Sequence, residues 1–310
     1  MIAGIIAGIT WAVETIILGI ALAMTPFVST QDALKLAPFV STFLHDAFSA
    51  VWACLYNGIK GNLPSLAKAL KTKSGKYVIL AAIIGGPVGM TGYVMSVAYM
   101  GASIGAVASA IFPAVGAVLA YFFLKEKMQW YRWVFLILSL LGVYGLSYSP
   151  VLNITNFALG FVGTLMCAFG WGVEAVIIAK SVQDEAVTDE LALQIRQTTS
   201  ALTYGLVILP FMKGWGFTVS LFNNTGWLIP TIAIAALFAT ASYLFYYKAI
   251  GQIGASKSMA LNITYSAWAV VISIILGNRS LLNPVTIICT AAVLVFGVLA
   301  GADYKDLIKK

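Results

Sequence analysis

Long apolar runs limit what this sequence can fold into more than any other feature. A helix needs about 20 mainly apolar residues to cross the hydrocarbon core of a bilayer. Ten such runs lie at 2–24, 36–58, 77–100, 103–124, 130–148, 157–180, 190–212, 227–250, 256–277 and 284–302, with ends uncertain by about 2 to 4 residues. Only 9% of the residues are charged, against about 25% in soluble domains. The sequence therefore predicts an all-α polytopic membrane protein with ten transmembrane helices.

The distribution of Lys and Arg predicts the orientation of these helices, because cytoplasmic loops carry an excess of basic residues. If the N-terminus is cytoplasmic, the outer loops receive only Lys35, Lys213 and Arg279, and every other basic residue except Arg196 falls on the inner side. Both termini are therefore predicted to be cytoplasmic. The first run is too long for the core of a signal peptide, and we expect it to be retained as a helix.

Composition argues against several classes of function. The net charge of +7 does not indicate a nucleic-acid partner, because the basic residues are scattered through short connections. Cys54, Cys167 and Cys289 are far apart in apolar runs, so neither a disulfide framework nor a metal motif is supported. The single histidine excludes a histidine metal cluster. Without a phosphate-binding loop or a nucleophile elbow, we predict neither an enzyme nor a cofactor.

An internal repeat divides the chain into two halves. Trp11 and Glu14 lie inside the first run, and Trp171 and Glu174 repeat their pattern 160 residues later. With five helices in each half, equivalent helices cross the membrane in opposite directions, so 1–150 and 151–310 are predicted as inverted five-helix repeats of one membrane-embedded unit. This is a common plan of secondary transporters. Further matches keep the same order, pairing 45–49 with 196–200, 92–93 with 242–243, and 124–126 with 276–278.

The two carboxylates of the repeat are candidates for ligand binding, because a charge in hydrocarbon is costly and by default functional. Trp11 shares a helical face with Glu14, as Trp171 does with Glu174. An aromatic ring beside an anion favours cations, above all quaternary ammonium groups. The alternative is helix packing, or for the acids a bond to a hydroxyl on a neighbouring helix. Further candidates for the same site are Tyr93, Tyr243, Tyr246, Asn262, Tyr265 and Trp268.

A second set of polar residues could couple transport to protons. His45 and Asp46 are neighbours in the second run, and an imidazole beside a carboxylate can shuttle a proton near neutral pH. The pair could equally tether two helices. Arg196 is predicted to neutralise a carboxylate or to line a wet cavity, because an unpaired guanidinium in lipid is costly.

Pro87 lies between Gly86 and Val88 in the third run, with Gly85 and Gly89 close by. Proline removes a backbone donor and clashes with the preceding turn, so a kink is predicted there. The kink could act as a gate, or it could be fixed by neighbouring helices.

These features together resemble the drug/metabolite transporter superfamily. The ten helices in two inverted sets, the cytoplasmic termini and the segment at 109–127 carry the resemblance over nearly the whole chain. Within the superfamily, the sequence is similar to the LicB-type bacterial choline permeases in six fragments that keep the same order, at 45–46, 86–90, 171–174, 196–200, 242–247 and 262–268.

The resemblance implies a binding site for the ammonium group of choline. In that family an aromatic box holds this group, and its matching positions here are Trp11, Trp171, Tyr243 and Tyr246. Glu174 matches an acid of the family. Glu14 departs from the family pattern, which leaves open a different cation, a proton or a primary amine as the ligand.

The residues and the resemblance together predict a secondary transporter of the bacterial cytoplasmic membrane. It is expected to import choline or a related quaternary amine by alternating access, driven by the membrane potential with or without protons. The alternatives are an exporter of amino acids, nucleosides or toxic cations on the same fold, and a membrane receptor or assembly protein that transports nothing. The expected partners are a small cation and the lipid bilayer, and both a monomer and a homodimer are left open.

Overall fold

The computed structural model describes residues 1–148, 154–223 and 226–302, and within these ranges its regular structure is helical. The helices in chain order are α1 (Ile2–Leu22), α2 (Gln31–Ile59), α3 (Leu63–Lys71), α4 (Lys73–Met100), α5 (Ala102–Phe123), α6 (Trp130–Ser147), α7 (Phe157–Ser181), α8 (Asp189–Phe211), α9 (Trp215–Phe222), α10 (Leu228–Ile253), α11 (Ala255–Ile275) and α12 (Pro284–Gly301).

Helices lie at all ten predicted segments, and α3 and α9 are short helices that the sequence did not predict. In the part of the chain that the structure describes, α1, α4, α6, α7, α10, α11 and α12 are long and apolar enough to cross a membrane. An eighth span results if α8 and α9, which are bent by 117°, are counted together. A helical multi-pass membrane protein is therefore confirmed, whereas ten crossings and an inverted repeat remain predictions.

Two helix joints in different halves have nearly the same backbone geometry. Gly101 joins α4 to α5 with φ +89° and ψ +159°, and Gly254 joins α10 to α11 with φ +87° and ψ +165°. A positive φ of this size favours glycine, because a Cβ would clash with the backbone. The same turn at corresponding places is what a duplicated chain would produce.

Helices of each half pack against helices of the other half. In the first half, α1 packs against α10 and α11, and in the second half its counterpart α7 packs against α4 and α5. The pairs α2 with α8 and α6 with α12 join the halves directly. Each half therefore completes the packing of the other.

Small residues permit the close approach of α1 and α11. A Cβ at Gly4 would collide with the side chain of Leu261, and a Cβ at Gly8 would lie 2.8 Å from the hydroxyl of Thr264. Close approach through small residues is typical of packing between membrane helices. It brings the middle of α1, with its Trp and Glu, to the centre of the protein.

The predicted kink of the third helix is a π-helical turn over Ile84–Gly89 in α4. Such wide turns often occur at functional sites. A Cβ at Gly85 would collide with the carboxylate of Glu174, and a Cβ at Gly86 would collide with the hydroxyl of Ser200. The missing side chains therefore let the backbone of α4 lie directly against polar groups of the second half. Whether this turn moves as a gate remains a prediction.

Candidate functional site

A cavity of about 380 Å³ lies in the centre of the helices, where the two halves meet. Residues of α1, α2, α4 and α5 line it from the first half, and residues of α7, α8, α10 and α11 from the second. Its wall contains all but one of the candidate residues, namely Trp11, Glu14, His45, Asp46, Tyr93, Trp171, Glu174, Arg196, Tyr243, Tyr246, Asn262 and Tyr265.

Trp268 is the candidate that does not line this cavity. It lies one turn beyond Tyr265 in α11, and its ring carbon Cδ1 would be 3.7 Å from a Cβ at Gly8. Trp268 therefore packs beside α1, which is the packing role that the sequence left open for it.

The aromatic side chains of the wall include two Trp–Tyr pairs at positions that the predicted repeat matches. Trp11 of α1 meets Tyr243 of α10 edge to face with ring centroids 5.1 Å apart, and Trp171 of α7 stacks on Tyr93 of α4 with centroids 6.1 Å apart. The repeat matches Trp11 with Trp171 and Tyr93 with Tyr243, so one pair is the counterpart of the other. The indole Nε1 of Trp171 also donates to the carbonyl of Gly85 at 2.9 Å.

A chain of ionisable side chains runs along the same wall and begins in the first half. Nε2 of His45 lies 3.4 Å from Oε1 of Glu14, and Nδ1 of His45 lies 3.0 Å from Oδ1 of Asp46. All three side chains are buried. The hydroxyl of Thr15 donates to Oε2 of Glu14 at 3.3 Å.

The chain of charges continues into the second half through Arg196. Its Nη1 lies 3.5 Å from Oδ2 of Asp46, and its Nε donates to Oε1 of Glu174 at 2.7 Å. The hydroxyl of Ser200 donates to Oδ2 of Asp46 at 2.6 Å. Asp46 is thus shared by His45 and Arg196, the two basic residues that the repeat matches with each other.

The five ionisable residues in this row of side chains have a net negative charge when their carboxylates are ionised. When ionised, the carboxylates of Glu14, Asp46 and Glu174 carry three negative charges against the one positive charge of Arg196. The sum is −2 when His45 is neutral and −1 when it is protonated. Buried charges are costly unless they are paired, so a cation entering this cavity would offset the excess.

Several buried polar atoms of the wall have no hydrogen-bond partner within the described ranges. They are the hydroxyls of Tyr246 and Tyr247, Oδ1 of Asn262 and Nε2 of His45. Buried polar atoms are normally satisfied by protein or water. These atoms are therefore available to polar groups of a ligand or to water.

Three residues of the site were not among the predicted binding residues, although two of them, Tyr247 and Ser200, lie in fragments that carry the family resemblance. Tyr247 follows Tyr243 by one helical turn, and its ring lies 5.9 Å from that of Tyr243, so helical spacing could have included it. Ser200 lies one turn after Arg196 and could have been found in the same way. Phe112 meets Trp171 at 5.9 Å, but nothing in its local sequence separates it from other apolar residues of α5.

The chemistry of the site does not resemble that of a metal centre. No group of three or more His, Cys, Asp or Glu side chains that could hold a metal ion occurs among the described residues. Cys167 is buried in α7.

Comparison with known proteins gives the family of this chain. Residues 1–148 match the model of the EamA-like transporter family. The chain is also 30% identical over 226 residues to Protein LicB of Haemophilus influenzae, a match that covers 73% of this chain and 75% of that protein. The chain belongs to the EamA-like transporter family. It is a LicB-like member of the drug/metabolite transporter superfamily, as the sequence predicted.

A solved structure supports the fold of this EamA-like transporter. The crystal structure of a protein with 15% sequence identity matches it with a TM-score of 0.69, over 97% of this chain and 96% of that one. An identity this low establishes a shared fold only. Family membership makes the chain a membrane transporter with a small-molecule substrate, and it agrees with the prediction that the protein is not an enzyme.

Proposed function

We propose that this EamA-like transporter imports choline or a closely related quaternary amine across the bacterial cytoplasmic membrane by alternating access. The observation that carries the proposal is a central cavity with two Trp–Tyr pairs on its wall, lined by the carboxyl groups of Glu14, Asp46 and Glu174. The match to LicB supports the same substrate class through the choline-permease resemblance of the sequence.

A quaternary ammonium group suits this wall for two physical reasons. It has no N–H to donate, so its attraction to a protein comes mainly from aromatic faces and from charge. Each good contact with an aromatic face contributes about 0.5–2 kcal/mol. Trp11 and Trp171 stand on opposite halves of the protein, so a cation between them would contact both halves at once.

The membrane potential can drive uptake of such a substrate without another ion. Moving one positive charge inward is favoured by about 2.3 kcal/mol per 100 mV, which corresponds to about fiftyfold accumulation. Proton symport through Glu14, Glu174 or the His45–Asp46 pair is a separate hypothesis. Its test is acidification of a buffer inside proteoliposomes on addition of choline, and uptake without acidification would argue against proton symport and for uniport.

The experiment that tests the proposal is uptake of radiolabelled choline into proteoliposomes with an inside-negative potential. We expect accumulation that disappears when the potential is collapsed. Trp171→Ala should lower the uptake rate at least ~10-fold through the loss of aromatic contact. Trp227→Ala is the matched control, because Trp227 is 77% exposed at the start of α10. Export of choline, or uptake of a zwitterionic amino acid in its place, would contradict the proposal.

A further inference from the structure

The cavity contains two equivalent half-sites, each made of a Trp, a Tyr and a Glu. The first consists of Trp11, Tyr243 and Glu14, and the second of Trp171, Tyr93 and Glu174. A symmetrical cavity would offer a cation two equal places. The polar contacts around the two carboxylates, however, are unequal.

The carboxylate of the second half-site already has a cation of the protein beside it. Nε of Arg196 donates to Oε1 of Glu174 at 2.7 Å, and both side chains are buried. The guanidinium of Arg196 also lies over the ring of Tyr243, with Cζ 4.9 Å from the ring centroid. A substrate cation approaching Glu174 therefore meets a carboxylate whose charge is largely offset.

The carboxylate of the first half-site has a much weaker set of partners. Oε2 of Glu14 accepts from the hydroxyl of Thr15 at 3.3 Å, and Oε1 lies 3.4 Å from Nε2 of His45. Among the described residues, Nε2 of His45 has no hydrogen-bond partner. Glu14 is 3% exposed and Glu174 is 7% exposed, so the two carboxylates differ in their partners and not in their burial.

The other nitrogen of His45 explains why this contact is weak. Nδ1 lies 3.0 Å from Oδ1 of Asp46, so the closer contact of the imidazole is with Asp46. Nε2 lies 3.4 Å from Oε1 of Glu14 without making a hydrogen bond. The charge of Glu14 is therefore offset less than that of Glu174, which accepts from a guanidinium at 2.7 Å.

We infer that Glu14, beside Trp11, is the carboxylate that receives the substrate cation, and that the pair of Arg196 and Glu174 is a structural ion pair between α8 and α7. The inference rests on the proposed function and deepens it, because it assigns the charge recognition to the residue that departs from the family pattern. A carboxylate at this place also selects against zwitterions, since the carboxylate of a betaine would be brought close to that of Glu14. Glu14 is thus a specificity residue for cationic over zwitterionic quaternary amines.

The test compares ligand binding by the purified full-length protein and three of its variants in isothermal titration calorimetry, with choline, ethanolamine and glycine betaine as probes. Glu14→Gln should weaken choline binding at least ~10-fold and reduce the preference for choline over glycine betaine, because the attraction between the carboxylate of Glu14 and the ammonium group of choline is lost. Glu14→Asp keeps the charge and should retain that preference. Glu185→Gln changes an exposed acid outside the cavity in the same way and should keep choline binding within ~3-fold.

The possible results separate the inference from the proposed function. If choline binds and Glu14→Gln leaves both affinity and preference unchanged, the assignment of Glu14 is wrong and the proposed function stands. If the wild type ignores choline but binds ethanolamine, and Glu14→Gln abolishes that binding, the assignment of Glu14 holds and the quaternary substrate is wrong. If neither amine binds, both are overturned. The melting temperature of each variant without ligand shows whether a loss of binding is a loss of folding, and Glu14→Asp decides the assignment if Glu14→Gln does not fold.

Discussion

At the scale of single residues, the ion pair between Arg196 and Glu174 determines how the protein responds to substitution. Arg196 is 4% exposed, and besides Glu174 it contacts Asp46 and donates from Nη1 to Oε1 of Gln197 at 2.7 Å. A buried pair can be replaced as a unit at little cost. Removing one partner leaves an uncompensated buried charge.

The two kinds of substitution should therefore differ in stability. Glu174→Gln alone leaves Arg196 without its closest partner and is expected to lower the free energy of unfolding by about 3 kcal/mol. The double variant Glu174→Gln/Arg196→Gln should lower the free energy of unfolding by less than the single variant does. Thermal unfolding in detergent measures both, and equal melting temperatures for the two variants would contradict the pairing described here.

Sequence reasoning identified the residues of the site better than their partners. The three-residue spacing of Trp and Glu placed Trp11 beside Glu14 and Trp171 beside Glu174, because helical geometry fixes local neighbours. It did not predict that Trp11 meets Tyr243 or that Arg196 covers the ring of Tyr243. Those contacts join helices distant in the chain, and they depend on how the helices pack. The resemblance separated Glu174, which matches an acid of the family, from Glu14, which departs from the pattern, but the sequence did not predict which basic residue lies beside each carboxylate.

At the scale of helices and connections, Glu126 links the two halves by capping a helix of the other half. Its carboxylate accepts from the backbone nitrogens of Ala255 and Ser256 at 2.9 and 3.0 Å, and from the hydroxyl of Ser256 at 2.6 Å. These groups begin α11 directly after the joint at Gly254. A carboxylate stabilises a helix N-terminus by satisfying free donors and by favourable interaction with the helix dipole.

Removing this cap should destabilise the protein without changing which ligand the protein binds. Glu126→Ala is expected to lower the free energy of unfolding by about 1–2 kcal/mol, because two backbone donors of α11 lose their acceptor. Glu185→Ala provides the control, since Glu185 is an exposed acid in the connection before α8. Chemical unfolding in detergent compares the two variants. A loss as large for Glu185→Ala as for Glu126→Ala would contradict a specific capping role.

Some helix boundaries and breaks were predicted from the sequence and others were not, because only some of them are marked by a local sequence signal. Proline and glycine marked the wide turn of α4 in advance. In α11, regular helix gives way to a turn at Ile263 and Thr264, where the hydroxyl of Thr264 donates to the carbonyl of Leu261 at 2.6 Å. No proline or glycine announces that break. The start of α2 was predicted at residue 36, five residues late, because the polar first turn after the Thr30 cap does not look apolar.

At the scale of the whole molecule, both halves are needed to form the cavity. Glu14 and His45 come from the first half, Glu174 and Arg196 from the second, and Asp46 contacts both basic residues. This arrangement follows from packing in which each half completes the other. The direction of each helix in the membrane is a separate matter that requires an experiment.

Cysteine accessibility would test the inverted topology directly. In a variant lacking the native cysteines, Ser29→Cys and Ser280→Cys are expected to react with an impermeant maleimide added to intact cells, because ten crossings from a cytoplasmic N-terminus place both outside. Lys73→Cys should react only after the cells are opened. Protection of position 280 in intact cells would contradict the predicted topology of ten crossings.

The glycines of the wide turn in α4 have a consequence for how proteins of this kind can diversify. Any side chain at 85 would collide with the carboxylate of Glu174, and any side chain at 86 would collide with the hydroxyl of Ser200. Few substitutions are therefore tolerated on that side of the cavity without loss of the fold. Changes of substrate during evolution should instead arise at wall positions that already carry side chains, such as those of α1 and α2.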